Sequence, residues 1–296
     1  MGALANRDFV KMNGLGNAIV VVDLRQGAKD DARPIPQPIA AEEARAAARH
    51  EPYDQLMALY PGRGGSDALV RIYNNDGSEA GACGNGMRCV ASLLNAETGR
   101  AQLNFETSAG TIACWSAPNG LFAVDMGAPR FRWDEIPLSA PMPDTRAIDL
   151  QFAAAGVPFL RAPSAVSTGN PHAIFWVEDP HAYDLSRIGP QLEHHPLFPD
   201  RANITLATTP ARDRVVIRTW ERGAGLTKAC GSAACAAAVA AARLSRTGRK
   251  VTVTLPGGDL DIEWHDRDDH VLMTGPVEYE HRGRFDAALF AAAGAV

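Results

Sequence analysis

The chain contains no run of the roughly 18 apolar residues that a bilayer-crossing helix requires, so a helical membrane anchor is not expected. Its first residues, Met1 to Asp8, lack the basic flank and apolar core of a secretion signal. Asn6 stands where a myristoylation signal following Met1-Gly2 wants Ser or Thr. No cluster of Lys or Arg offsets the net charge of −5. Nucleic acid and anionic membrane surfaces are therefore poor partners, and a small molecule is the expected ligand, handled in the cytoplasm. Lysine is scarce: Lys11, Lys29, Lys228 and Lys250 are all there are, and none follows a phosphate-binding loop. That argues against pyridoxal phosphate, which needs a Schiff-base lysine. The five cysteines include no two-residue C-x-x-C interval, since Cys83 is followed by Cys89 and Cys230 by Cys235. A zinc site is not expected, and reduced thiols are. Gly14-Leu15-Gly16 lacks the later glycine and the acidic ribose reader of a dinucleotide fold.

What the chain does have is a repeat. Arg71-Ile72-Tyr73 leads to Ala82-Cys83-Gly84-Asn85, and Arg218-Thr219-Trp220 leads to Ala229-Cys230-Gly231-Ser232, each pair 147 residues apart. Upstream, Gly16-Asn17 before an apolar run is echoed by Gly169-Asn170-Pro171-His172 before another. Downstream, Thr98-Gly99 and Thr247-Gly248 both carry a helix stop signal. Such self-similarity marks a duplicated lobe. A chain of 296 residues, 46% apolar and 21% charged, has enough material for two cores.

Apolar runs at Leu69 to Tyr73, Leu103 to Thr107, Val215 to Trp220 and Val251 to Leu255 predict strands, and glycine turns are expected around Gly110 and Gly257-Gly258. From Ala233 to Ala242 the chain holds only Ala, Cys and Val. A helix apolar on every face is buried on every face, so strands should wrap around it. The equivalent helix after Cys83 has polar positions at Arg88, Ser92 and Asn95 and should be less enclosed. Pro137, Pro141 and Pro143 make Pro137 to Asp144 a plausible linker between lobes.

Each repeated cysteine follows a strand and a turn and opens a helix. At a helix N-terminus the exposed N–H groups and the dipole favour thiolate over thiol. The same N–H groups, on Gly84-Asn85 and Gly231-Ser232, can hold a carboxylate or the enolate-like charge left when an α-proton departs. Two such thiols can remove a proton from one face of a chiral carbon and return one to the other.

These residues carry a family resemblance. The motifs Met12-Asn13-Gly14-Leu15-Gly16-Asn17, Tyr53-Asp54-Gln55-Leu56, Tyr73-Asn74-Asn75-Asp76-Gly77-Ser78, Ala82-Cys83-Gly84-Asn85-Gly86, Gly169-Asn170-Pro171-His172, Ala202-Asn203-Ile204 and Glu221-Arg222-Gly223-Ala224-Gly225 resemble those of diaminopimelate epimerase over nearly the whole chain. The resemblance implies an α/β fold of two pseudo-symmetric lobes, each a curled, mostly antiparallel sheet around a central helix. It implies a first lobe from 1–128 with a returning strand from 275–296, and a second lobe from 129–274. It further implies an isomerase that interconverts LL- and meso-diaminopimelate for lysine and cell-wall precursor synthesis, without cofactor or metal, commonly as a homodimer. Carried over position by position, Cys83 and Cys230 are the acid/base pair, and His172 and Glu221 tune them. Asn17, Gln55, Asn74, Gly84, Asn85, Asn170, Asn203, Glu221, Arg222, Gly231 and Ser232 hold substrate.

Two other readings stay open: a proline racemase-like isomerase on the same scaffold, and a non-catalytic redox sensor in which the two cysteines form a disulfide. The chain departs from the family pattern at Asn13, where many relatives have His, and at Ala18, where many have an acid. Cys89, Cys114 and Cys235 lack the repeat context and are expected to be packing residues. His194-His195 is expected to face solvent, and Gly27 to His50 to be surface packing.

Overall fold

A computed structural model describes residues 2–25 and 37–294. The chain divides into two compact units: one runs to Val124 and resumes at Gly275, the other is Asp125–Thr274. The first contains β1 (Asp8–Asn13), β2 (Ala18–Asp23), α1 (Ala41–His50), β3 (Gln55–Pro61), β4 (Ala68–Asn74), β5 (Glu79–Ala80), α2 (Gly84–Thr98), β6 (Gln102–Thr107), β7 (Gly110–Ser116) and β8 (Phe122–Asp125). Its sheet runs β1, β2, β3, β4, β6, β7, β8, with the short β5 folded back on β4. Only β2–β3 and β4–β6 are parallel. These are the two joins whose connections carry a helix, as a parallel crossover requires.

The second unit contains β9 (Gln151–Ala154) and β10 (Val157–Arg161), which form a separate hairpin. Then follow β11 (Ser164–Ser167), β12 (Pro171–Trp176), α3 (Leu185–Glu193), β13 (Asn203–Ala211), β14 (Arg214–Glu221), β15 (Gly225–Leu226), α4 (Gly231–Arg243), β16 (Lys250–Leu255), β17 (Gly258–Trp264) and β18 (Val271–Gly275). The order β11, β12, β13, β14, β16, β17, β18, with β15 on β14, repeats the first unit strand for strand. The parallel joins recur at β12–β13 and β14–β16. The duplication read from two cysteines is thus a duplication of topology. The last strand, β19 (Glu278–Arg284), belongs to the first unit and pairs antiparallel with β1, Asp8 opposite Arg284.

The four predicted strands lie within β4, β6, β14 and β16, and the glycine turns fall where Gly110 and Gly258 take positive φ. α4 is buried along Ala233–Ala241 and packs against β11, β12, β13, β14, β16 and β17. Alanine supplies strong helix propensity with almost no radius, so the strands can close on the helix from all sides. α2 is less enclosed, with its last turn exposed. Arg88 is an exception to its predicted polar exposure, because the first half of α2 lies inside the lobe and Arg88 is fully buried there.

α2 ends as predicted at Gly99, φ 69°. α4 does not end at Gly248. Ser245 takes the left-handed conformation instead (φ 55°), and the N–H groups of Arg246 and Ser245 return to Ala241 and Ala242 carbonyls. This is a Schellman stop built on serine, two short-range bonds outweighing the cost of a side chain at positive φ. Pro137 to Asp144 is not a linker between units, since it lies well inside the second with Leu138 packed in the core beside Ile136 and Ile148. The prolines shape an irregular chain path over that core. Of the stretch Gly27 to His50, residues 27–36 lie outside the described residues. α1 is more than surface packing, with Ala44, Ala46 and Ala47 buried, and the Glu43 carboxylate accepting the Leu4 N–H at 2.9 Å.

α3 has no counterpart in the sequence reading. Asp184 caps it, and Leu185, Ile188 and Leu192 bury one stripe. It lies so close to β14 that a Cβ on Gly189 would sit 2.4 Å from Trp220 Cγ. Gly189→Ala should therefore destabilise the protein by about 1–3 kcal/mol through overpacking, read as a lower urea midpoint. An unchanged midpoint would mean that the Trp220 ring moves aside freely.

Candidate active site

In the first unit, Cys83 is the N-cap of α2, in extended conformation, and its sulfur accepts the Gly86 N–H at 3.3 Å. Sulfur is a weak acceptor, and Gly84 and Asn85 are the first residues of α2, whose backbone amides lie ahead of the helix's own hydrogen-bond ladder. The Cys83 S–H reaches Gln55 Oε1 at 3.7 Å and Asn17 Oδ1 at 3.8 Å. β-Sheet register brings these amides together: Gln55 starts β3 opposite Ile19 of β2 and Asn74 at the end of β4. Gln55 donates to Asn74 at 3.4 Å, Asn74 to Ser78 Oγ at 3.0 Å, and Asn17 to Asp54 at 2.9 Å. The cysteine thus sits at the rim of a network of neutral amides.

In the second unit Cys230 is the N-cap of α4, buried, with Sγ 3.5 Å from Ser232 Oγ. The helix-end argument predicts a lowered thiol pKa, and the structure reverses it for Cys230. Burial, then the negative charge of Glu221, drive the thiol well above its ordinary value, outweighing the Ser232 and Ala233 hydrogen bonds that favour thiolate. Cys230 therefore holds its proton. Glu221 ends β14 as Asn74 ends β4, and the Thr227 hydroxyl donates to its carboxylate.

The remaining predicted residues of this unit gather around the starts of β12 and β13, where His172 lies opposite Asn203. His172 is fully buried, its Nε2 2.8 Å from Asn170 Oδ1. Asn203 donates to the Pro171 carbonyl at 3.0 Å and accepts the Arg222 N–H at 3.0 Å. Its amide therefore staples β12 to the turn after β14, a framework duty that the sequence reading did not foresee. Arg222 donates from its guanidinium to the Asp200 carbonyl at 3.0 Å.

Several contributors were missed. Asp54 lay inside a quoted motif and takes both the Asn17 side chain and the Ala18 N–H, which is how a chain with Ala18 still holds its turn. Thr168 donates to the Ser232 carbonyl at 3.2 Å. Thr227 carried no signal beyond standing three residues before Cys230. Asn13, the other departure, accepts the Gly16 N–H within its own turn and donates to the Glu280 carboxylate of β19 at 3.4 Å. Cys89, Cys114 and Cys235 are buried, and desolvation pushes the Cys89 thiol up to about 12. His194 is exposed and His195 half-buried, its Nδ1 accepting the Leu197 N–H. Among the described residues no three of His, Cys, Asp and Glu are gathered as metal ligands would be, and no helix is long and apolar enough to cross a membrane.

The sequence profile of the family described as diaminopimelate epimerase matches residues 9–132 and 164–280, leaving the β9–β10 hairpin in the unmatched stretch between. A protein named diaminopimelate epimerase from Rhodopseudomonas palustris (strain TIE-1) is 61% identical over 295 residues, covering 99% of this chain and 98% of its own. One so named from Nitrobacter hamburgensis is also 61% identical, covering 98% and 99%. Among solved structures, a predicted epimerase from Pseudomonas aeruginosa is similar with TM-score 0.64 at 19% identity, covering 95% of this chain and 99% of its own. A hydroxyproline epimerase from Agrobacterium vitis is similar with TM-score 0.66 at 15% identity, covering 97% and 94%. At those identities the likeness is one of fold.

Burial first, and the Arg222 charge second, hold His172 neutral, its pKa down to about 3. Unfolded, the same ring titrates near 6.5. Above that pH both states are neutral and His172 contributes nothing to pH dependence. As pH falls below 6.5 the unfolded chain takes a proton that the native state refuses, and the fold loses up to about 1.4 kcal/mol per pH unit until the native ring titrates. His172→Gln should flatten that loss in urea midpoints taken at pH 7, 6 and 5. Parallel pH trends in the two proteins would mean that the native ring is protonated.

Proposed function

Because the chain belongs to the diaminopimelate epimerase family, we propose that it interconverts LL- and meso-diaminopimelate by moving an α-proton between Cys83 and Cys230, without a cofactor. The observation that carries this reading is the equivalence of the two cysteines. Each caps the helix that crosses between the corresponding parallel strands of a duplicated lobe. The preceding long strand ends in a polar residue in each lobe, Asn74 bonded to the Gln55 that meets Cys83 in one and Glu221 acting on Cys230 in the other.

The environments divide the labour. Cys230, buried beside Glu221, keeps its proton and serves first as the acid. Cys83, less buried and with the Gly86 N–H on its sulfur, loses to solvent the proton it shares with Gln55 and Asn17 and serves first as the base. Cys83 thiolate takes the α-hydrogen as a proton, and the C–H electron pair passes into the carboxylate as an enediolate. The Cys230 S–H then gives its proton to the opposite face, inverting the centre and leaving Cys83 as thiol and Cys230 as thiolate. The reverse reaction runs with the roles exchanged. The amides of Gly84, Asn85, Gly231 and Ser232 receive the carboxylate, each well-aimed donor to a developing oxyanion being worth roughly 3 kcal/mol. Asn17, Gln55, Asn74, Asn170, Asn203, Glu221 and Arg222 orient the rest of the substrate, an amino acid end that must be read and not altered.

Incubation with LL-diaminopimelate in deuterated water should place deuterium at the α-carbon, and Cys83→Ala and Cys230→Ala should each reduce epimerisation to background. Full turnover by either single variant would end the two-base reading. Exchange into proline and none into diaminopimelate would favour the racemase reading instead. We also assign the protein to the cytoplasm as a homodimer, consistent with the exposed outer strand β19, whose Tyr279 is 55% exposed. Sedimentation equilibrium should return twice the chain mass of 31.5 kDa, and a monomer at micromolar concentration would remove that assignment.

A further inference from the structure

Glu193 is the last residue of α3, and its carboxylate is buried. One oxygen, Oε2, accepts the Trp220 indole N–H at 2.7 Å. The other, Oε1, accepts the Gly223 N–H at 3.0 Å and the Arg201 guanidinium at 3.2 Å. Trp220 immediately precedes Glu221 and Gly223 immediately follows Arg222. One carboxylate therefore grips the chain on both sides of the Glu221-Arg222 pair. Asn203 also holds this turn, through the Arg222 N–H, but Glu193 is the residue that binds it on both sides of the pair, where Gly223 and Gly225 have positive φ and Ala224 is exposed. A two-glycine turn has little stiffness of its own. The grip is rigid, since α3 lies against Trp220 at Gly189 with no room for a side chain.

We propose that Glu193 is a positioning residue: acting through Trp220 and Gly223, it holds Glu221 at Cys230 and Arg222 where substrate is read. This rests on the epimerase reading above and deepens it, adding a residue outside the substrate-holding set. A carboxylate suits this position, because three donors converge on its two oxygens and an amide offers one acceptor oxygen where the site uses two.

The test compares Glu193→Gln and Trp220→Phe with the wild-type enzyme on diaminopimelate. Glu193→Gln should lower kcat/KM by about 10- to 100-fold, the scale of misplacing reacting groups by an ångström. It should also move the alkaline limb of the pH profile, where Cys230 loses its proton, to lower pH as Glu221 drifts away. Trp220→Phe removes one of the three donors and should move both readouts the same way by less. A folded Glu193→Gln enzyme within about fivefold of wild type, or one slowed with an unshifted profile, overturns the proposal, the latter being the mark of a merely loosened lobe. Should Glu193→Gln fail to fold, Trp220→Phe decides by the shift or constancy of its alkaline limb. An inactive wild-type protein would instead sink the epimerase reading, so the two failures are told apart.

Discussion

A helix cannot satisfy its own first amides, and in this protein a cysteine stands as the cap at two equivalent places. Serine, threonine or aspartate at the N-cap would close off the donors with a strong oxygen acceptor. Cysteine is a weaker cap: Cys83 offers its sulfur to the Gly86 N–H, at the helix start formed by Gly84 and Asn85. The enclosure of α2 and α4 by their own strands keeps these ends from fraying and fixes where they point. In the proposed reaction, thiol chemistry and carboxylate recognition are two uses of one backbone feature.

Duplication supplied the scaffold, and divergence made its halves chemically unequal. Where the first lobe ends β4 with the neutral Asn74, the second ends β14 with Glu221. Where Gln55 at the start of β3 turns its amide to Cys83, Asn203 at the start of β13 spends its amide on backbone groups. A symmetric pair of thiols would compete for the same protonation state. Unequal burial and one extra carboxylate set them apart, with Cys230 buried beside Glu221 and its thiol pushed up.

Much of this was legible beforehand because it is written in local patterns. Strand alternation, the glycine turns at Gly110 and Gly258, the all-small helix α4 and the repeated cysteine context are short-range signals. What stayed hidden depends on tertiary surroundings. The direction of the Cys230 shift follows from burial and from Glu221, neither visible in the spacing of the thiol. α3 escaped notice because it is short and carries Pro190 inside it, and with it went Glu193, whose partners lie 27 and 30 residues away. Gly248 misled because the stop at Ser245 is set by the closing hydrogen bonds and not by residue preference alone. Pro137 to Asp144 misled because prolines break regular structure equally well between lobes and on top of a core.

The strand β19 crosses back to pair with β1, and Phe285 and Phe290 join Phe9 in one core. The second unit, by contrast, is one uninterrupted stretch of chain. During synthesis the later-made lobe can complete its sheet while the earlier-made one still lacks an outer strand and two core aromatics. The lobe carrying Cys83 therefore cannot close its sheet until the last residues have been made, after all of the chain of the lobe carrying Cys230.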